Sequence, residues 1–103
     1  MIYFKRGVDW SRVEPAMIGA VNDVARMFEK RKLGDVWITS VREGEHMEGS
    51  LHYEGRAVDI RLPEVELPEA NYMGLFYDLK HLLPEDFDVV LEETHIHIEY
   101  DPK

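Results

Sequence analysis

The chain has 103 residues, 45% of them hydrophobic and 11% aromatic, enough for one compact domain spanning 1–103 around one small core. Twelve Lys and Arg stand against 21 Asp and Glu, a formal charge of -9 that repels phosphate backbones and anionic bilayers and so argues against nucleic-acid and membrane partners. No cysteine is present, which excludes disulfides, thiolate metal ligands and a cysteine nucleophile; any metal must be held by histidine and carboxylate.

Met1 to Gly7 carries Lys5 and Arg6 without a following apolar stretch, and no uninterrupted apolar run is long enough to span a bilayer. The expectation is a soluble chain, cytoplasmic as synthesised. Between Arg12 and Leu33 the apolar residues Val13, Met17, Val21, Val24, Ala25 and Phe28 recur at three- and four-residue spacing, which predicts an amphipathic helix. Ser11 or Pro15 marks its start, Lys30, Arg31 and Lys32 suit the negative end of its dipole, and Gly34 supplies a stop. Val36 to Val41 (VWITSV) is β-branched and aromatic and predicts a strand, with Arg42 at its exit.

Glu43 to Gly55 holds three glycines and four glutamates without periodicity and reads as a surface loop feeding a second strand, Arg56 to Leu62. Pro63 to Pro68 interrupts the pattern. Tyr72, Leu75, Phe76, Leu79, Leu82 and Leu83 then restore helical spacing up to Pro84, and Phe87 to Leu91 and Ile96 to Tyr100 are strand-like, with Glu92 to His95 at their junction. The predicted class is α+β, a small antiparallel sheet packed with two main helices and covered on one face. Trp10, Trp37, Tyr72, Phe76 and Tyr77 are expected in the core or at its edge rather than on a substrate platform, and Glu64, Glu66 and Glu69 on a solvated face.

Four of the five histidines, His46, His52, His95 and His97, fall at the two loop-to-strand junctions; His81 sits in helical pattern. In Thr94-His95-Ile96-His97-Ile98-Glu99, strand alternation puts His95 and His97 on one face while Ile96 and Ile98 point into the core. Asp59 lies between apolar neighbours in Ala57-Val58-Asp59-Ile60, where burial is expensive unless a cation or donor meets it. Three N/O ligands with a fourth position left to water is the arrangement of a catalytic zinc. On spacing alone, ordinary hydrogen-bonded histidines and a strand aspartate fit equally well.

Ser50-Leu51-His52-Tyr53-Glu54-Gly55-Arg56-Ala57-Val58-Asp59 matches the Ser-x-His-x-x-Gly-x-Ala-x-Asp signature of the D-alanyl-D-alanine peptidase family at every fixed position. SLHYEGRAVDI also resembles the hedgehog signalling domain almost letter for letter, and His95-Ile96-His97 resembles its second zinc motif. The similarity runs from about Ile38 to Tyr100, while Gly7-Val8-Asp9 looks more like short phage and prophage members. Position by position, the resemblance implies His52, Asp59 and His97 as zinc ligands and His95 beside them. It also implies a glutamate that activates water, for which Glu92 is the first choice. Many relatives place that glutamate three residues before the metal-binding histidine, where this chain has Thr94. Strand parity favours Glu93, the look of the short phage members favours Glu92, and His95 is a third candidate.

Arg42 resembles, with a one-residue shift in spacing, an arginine that pairs with the substrate carboxylate or the oxyanion; a solvated strand-end arginine is the alternative. His46 matches a histidine lining the hedgehog metal cleft, or is a surface loop residue. Ser50 is expected to bond the backbone or a ligand's outer nitrogen, and Gly55 and Ala57 to serve a turn and close packing beneath the metal. Hedgehog domains hold calcium with carboxylates of the equivalent loop, so Glu43, Glu45 and Glu48 raise calcium as a second cation, in a shorter loop. The implied activity is zinc-dependent hydrolysis of peptides containing D-amino acids, as in peptidoglycan stem peptides, reached at the wall on lysis if the chain is phage-derived. The rival is a non-catalytic hedgehog-like zinc module. The oligomeric state is left open.

Overall fold

A computed structural model describes residues 1–42, 50–63 and 69–102, apart from the side chains of residues 69–71. The expectations for Glu43, Glu45, His46, Glu48, Glu64 and Glu66, and for the side chain of Glu69, lie outside the described residues. Among the described residues the order is β1 (Ile2–Phe4), α1 (Pro15–Lys30), β2 (Val36–Ser40), β3 (Ala57–Arg61), α2 (Glu69–Leu82), β4 (Phe87–Leu91) and β5 (His95–Tyr100). No helix among them is long and apolar enough to cross a membrane.

The α+β class holds, but the sheet is mixed rather than antiparallel. Its order is β1-β2-β3-β5-β4; β1 runs parallel to β2, and the other pairs are antiparallel. Three residues at a sheet edge carry too little alternation to announce a strand, and their parallel partner lies beyond the whole of α1. Lys5 extends this edge by donating its N–H to the Ile38 carbonyl at 2.8 Å.

Pro15 opens α1, where its missing N–H costs nothing, and the Glu14 side chain makes no cap bond. The helix ends in a Schellman arrangement: Leu33 N–H bonds Phe28 O, Lys32 N–H bonds Glu29 O, and Lys32 takes the left-handed conformation at φ 56°. The stop predicted at Gly34 therefore falls two residues earlier, with Gly34 (φ 94°) completing the turn into β2. Met17, Val21, Val24 and Phe28 of α1 and Leu75, Leu79 and Leu83 from α2 and its end pack with Val36, Ile38, Val58, Ile60, Val89, Ile96 and Ile98. All seven sheet residues share one parity in the observed register, so both helices cover the same face. Each fully buried Ile, Leu or Phe contributes about 1.5–3 kcal/mol.

The opposite face is built in three rows. Tyr3, Trp37, Arg61 and His95 form the first, Ser40, Asp59, His97 and Val90 the second, and Ala57, Glu99 and Asp88 the third. A register shift between Ile38 and Ser40 brings Ser40 opposite Asp59. Trp37 thus belongs to the open face and not to the core: its ring stacks on Tyr3 with centroids 4.8 Å apart, and the Arg61 guanidinium lies over it. Tyr77 is likewise no core residue, being 65% exposed against His81. Trp10 and Phe76 do pack at the core edge.

Candidate metal centre

Asp59 of β3 and His97 of β5 are direct register partners, so their side chains rise together from the open face. His97 Nδ1 stands 2.9 Å from Asp59 Oδ1. His52 comes from the turn that precedes β3, where Tyr53, Glu54 and Gly55 donate their N–H groups to the carbonyls of Ser50, Leu51 and His52. The Ser50 Oγ accepts the His52 backbone N–H at 3.2 Å, so of its two expected partners Ser50 takes the backbone. The outer ring nitrogen of His52, Nδ1, donates instead to the Val41 carbonyl at 2.7 Å. Gly55 lets this turn sit close: at φ 72°, a Cβ there would lie 2.4 Å from the Arg12 carbonyl oxygen, and Gly55 O accepts the Glu14 N–H at 2.8 Å. The close packing expected of Gly55 is thus against the segment before α1, while Ala57 is fully buried in the third row.

The consequence is a set of acceptors on both sides of two imidazoles. His52 faces the Val41 carbonyl with Nδ1 and Asp59 Oδ1, at 3.4 Å, with Nε2. His97 faces Asp59 with Nδ1 and Glu99 Oε1, at 2.9 Å, with Nε2. A neutral imidazole carries one N–H, spent here on the outer acceptor, which leaves the inner nitrogen's lone pair aimed at a carboxylate oxygen. Such a contact is repulsive unless a cation stands in it. Two protons would serve, at the cost of an imidazolium at His52, which is 3% exposed. One divalent metal replaces both. Candidate ligand atoms of His52, Asp59 and His97 lie within 4.8 Å of one another, their chemistry is that of a zinc or other borderline divalent site, and the outer partners fix both rings. The donor set fits a metal.

In the metal-free chain the rings meet Asp59 as donors instead. Burial on its own would raise the Asp59 carboxyl, but the hydrogen bonds and charges of His52, His97 and His95 outweigh it and hold Asp59 ionised far below the ordinary aspartate range. The Asp59 hydrogen bond, opposed by burial and aided by Glu99, raises His97 above the usual histidine value.

His95 lies at the more open side, a third exposed, its Nε2 3.6 Å from Asp59 Oδ1 and its Nδ1 3.1 Å from the Thr94 hydroxyl. Glu92 and Glu93 are exposed in the β4–β5 turn. The bond from Glu92 N–H to His95 O continues the register one step past Leu91 and Ile96, so Glu92 stands opposite His95 on the open side. Parity carried across the hairpin thereby separates the two glutamates, whereas parity along β5 alone points to Glu93. Arg42 is held by Nε donating to the Tyr53 carbonyl at 3.2 Å, and its charge acts on Asp9. Its described contacts do not include the ligand group. Glu99, which faces the His97 ring, is a neighbour of the candidate ligands that the motifs do not mark; the alternation that pairs His95 with His97 carries one step further to reach it. The loop carboxylates suggested for calcium fall outside the described residues.

The chain matches no protein-family model, and no curated protein is significantly similar to it.

Proposed function

We propose that this chain is a zinc peptidase of the D-alanyl-D-alanine peptidase and hedgehog type, acting on short peptides that contain D-amino acids, as in bacterial cell-wall crosslinks. The observation that carries this reading is the convergence of His52 Nε2, Asp59 Oδ1 and His97 Nδ1, with Val41 and Glu99 holding the far sides of the rings. A sheet whose one face is closed by two helices and whose other face bears the ligands supports the same family resemblance. Zinc at such a three-ligand site supplies Lewis acidity and brings the pKa of water down to roughly 7.

The chain's own groups do the rest. Glu92, across from His95, accepts the proton of the attacking water and returns it to the leaving amine. His95, beside Asp59 and still partly exposed, steadies the negative charge that develops on the peptide oxygen, with Arg42 as its partner from the exit of β2. Purified zinc-replete protein should release D-alanine or a wall-peptide fragment, and His97→Ala and Glu92→Gln should each lower the rate by roughly 100-fold or more. No cleavage of any such peptide would sink the enzyme reading.

One observation favours a second reading. Both candidate glutamates are exposed, and none of their described contacts reaches the ligand group, as in a non-catalytic zinc module that presents this face to a protein partner. In that case chelation should unfold the chain. A melting temperature unchanged by chelation would remove the structural reading.

A further inference from the structure

The two edges of the sheet are finished differently. β1 is three residues long and runs at once into Lys5 and Arg6, the short, charged form in which an edge resists another strand. β4 is five residues long, keeps a regular register through all five, and contains no Lys or Pro. The bond from Glu92 N–H to His95 O turns the main chain of Glu92, and by alternation that of Val90 and Asp88, toward β5. Phe87, Val89 and Leu91 therefore direct their main-chain groups outward. Phe87 N–H is taken by the Pro84 carbonyl at 3.0 Å, but the N–H and C=O of Val89 and Leu91 have no partner among the described residues. Charge says what would pair with this edge. Residues 81–102 hold seven of the chain's 21 acidic residues and no Lys or Arg. Asp88 and Glu99 are register partners on the open face, and with Asp101 they bring carboxylate oxygens within 4.8 Å of one another. Like charges at that spacing repel, and a cation alongside relieves them. A second copy of this chain would lay one acidic edge against another.

We infer that the outer edge of β4 is a docking site for an extended basic segment of a partner protein, which adds to the sheet as a further strand. Antiparallel addition exchanges N–H···O bonds at Val89 and Leu91 and sets three side chains of the segment on the open face, opposite Asp88, Val90 and Glu92. Lys or Arg suits the first and last of these positions. An apolar residue suits the middle one, where Val90 is 42% exposed. The segment is thus a basic-x-apolar-x-basic run, held by its main chain and selected by its charge. The site uses no metal ligand and stands whether or not the chain is a peptidase.

The test is calorimetric titration of zinc-loaded and chelator-treated protein with acetyl-Thr-Lys-Thr-Val-Thr-Lys-Thr-amide, and with the same peptide carrying Glu for both Lys. The lysine peptide should bind roughly tenfold more tightly or better in both metal states, by a margin that shrinks with added salt. Amide hydrogen exchange should slow at the Val89 and Leu91 N–H groups when it binds. The N–H groups of the two threonines flanking the valine face β4, so methylating those nitrogens should remove binding. The valine N–H faces away, and methylating it should leave the affinity within about threefold. Asp88→Lys should weaken the lysine peptide roughly tenfold; the peptide comparisons use wild type and stand even if this variant does not fold. Equal binding of the lysine and glutamate peptides, no binding of either, indifference to threonine methylation, or protection that spares Val89 and Leu91 overturns the docking site. Binding lost on chelation does so too, since the peptide would then sit on the ligand group. Protection of both N–H groups without peptide, rising with protein concentration, would give the edge to a second copy instead.

Discussion

Alternate residues of the same strands make the two faces of this sheet, and the faces obey different rules. In β5, Ile96 and Ile98 are 1% and 0% exposed and lock into α1 and the neighbouring strands, where any apolar group of the right volume would serve. His95, His97 and Glu99 alternate with them, and there each side chain has a polar partner. One face tolerates chemical substitution but not lost volume. The other tolerates small losses of volume but not a changed donor or acceptor.

Adjacent substitutions should pull the two apart. Ile98→Ala is expected to cost about 2–5 kcal/mol of stability in denaturant unfolding, while the folded protein keeps its zinc stoichiometry and, within about threefold, its affinity. His97→Ala, one residue away and only partly buried, should lose more zinc affinity than the roughly 10–100-fold characteristic of an outer partner, with a smaller change in the unfolding of the metal-free chain. If Ile98→Ala abolished zinc binding in folded protein, the division between faces would be false.

Glu99 tests the same division more finely. Glu99→Leu should weaken zinc binding by roughly 10–100-fold, and Glu99→Gln, whose carbonyl still accepts the His97 N–H, by distinctly less. Equal losses would show that charge near the site, rather than the fixed ring, is what Glu99 supplies.

The smallest effect is one of sign. His97 is raised above its unfolded value, so its contribution to the stability of chelator-treated protein is complete below about pH 6.5 and fades as pH rises through the raised value. Zinc competes with that proton, so its contribution grows over the same interval. Between pH 6 and 8 the stability of zinc-loaded protein should rise and that of chelator-treated protein fall; parallel slopes would mean that the metal does not replace the His97 proton. Asp59, held low, contributes above its unfolded value near 3.8 and loses that contribution only as pH falls toward its depressed one.

Periodicity served the elements that bury a face: α1, β2, β3, α2 and the β4–β5 hairpin all follow from apolar spacing. It was silent on β1, whose three residues are joined to β2 by main-chain bonds that leave no mark on side-chain type. Trp37 misleads for a related reason, since a large aromatic in a β-branched run suits either side of a strand and only the register assigns it. Within the site, the grouping of His52, Asp59 and His97 was legible because three side chains in two motifs carry it. Its supports were not. The Val41 carbonyl that orients His52 could belong to any residue, and Glu99 looks like any polar residue near a strand end.

Gly55 carries a consequence for the order in which the molecule assembles. Its contacts with Arg12 and Glu14 moor the His52 turn to a segment some forty positions earlier in the chain, and His97 arrives from nearly as far in the other direction. Loop closures of that length are slow relative to helix formation. The candidate site is therefore expected to be among the last parts of the chain to become complete, so that zinc added during refolding should be taken up after the helices have formed.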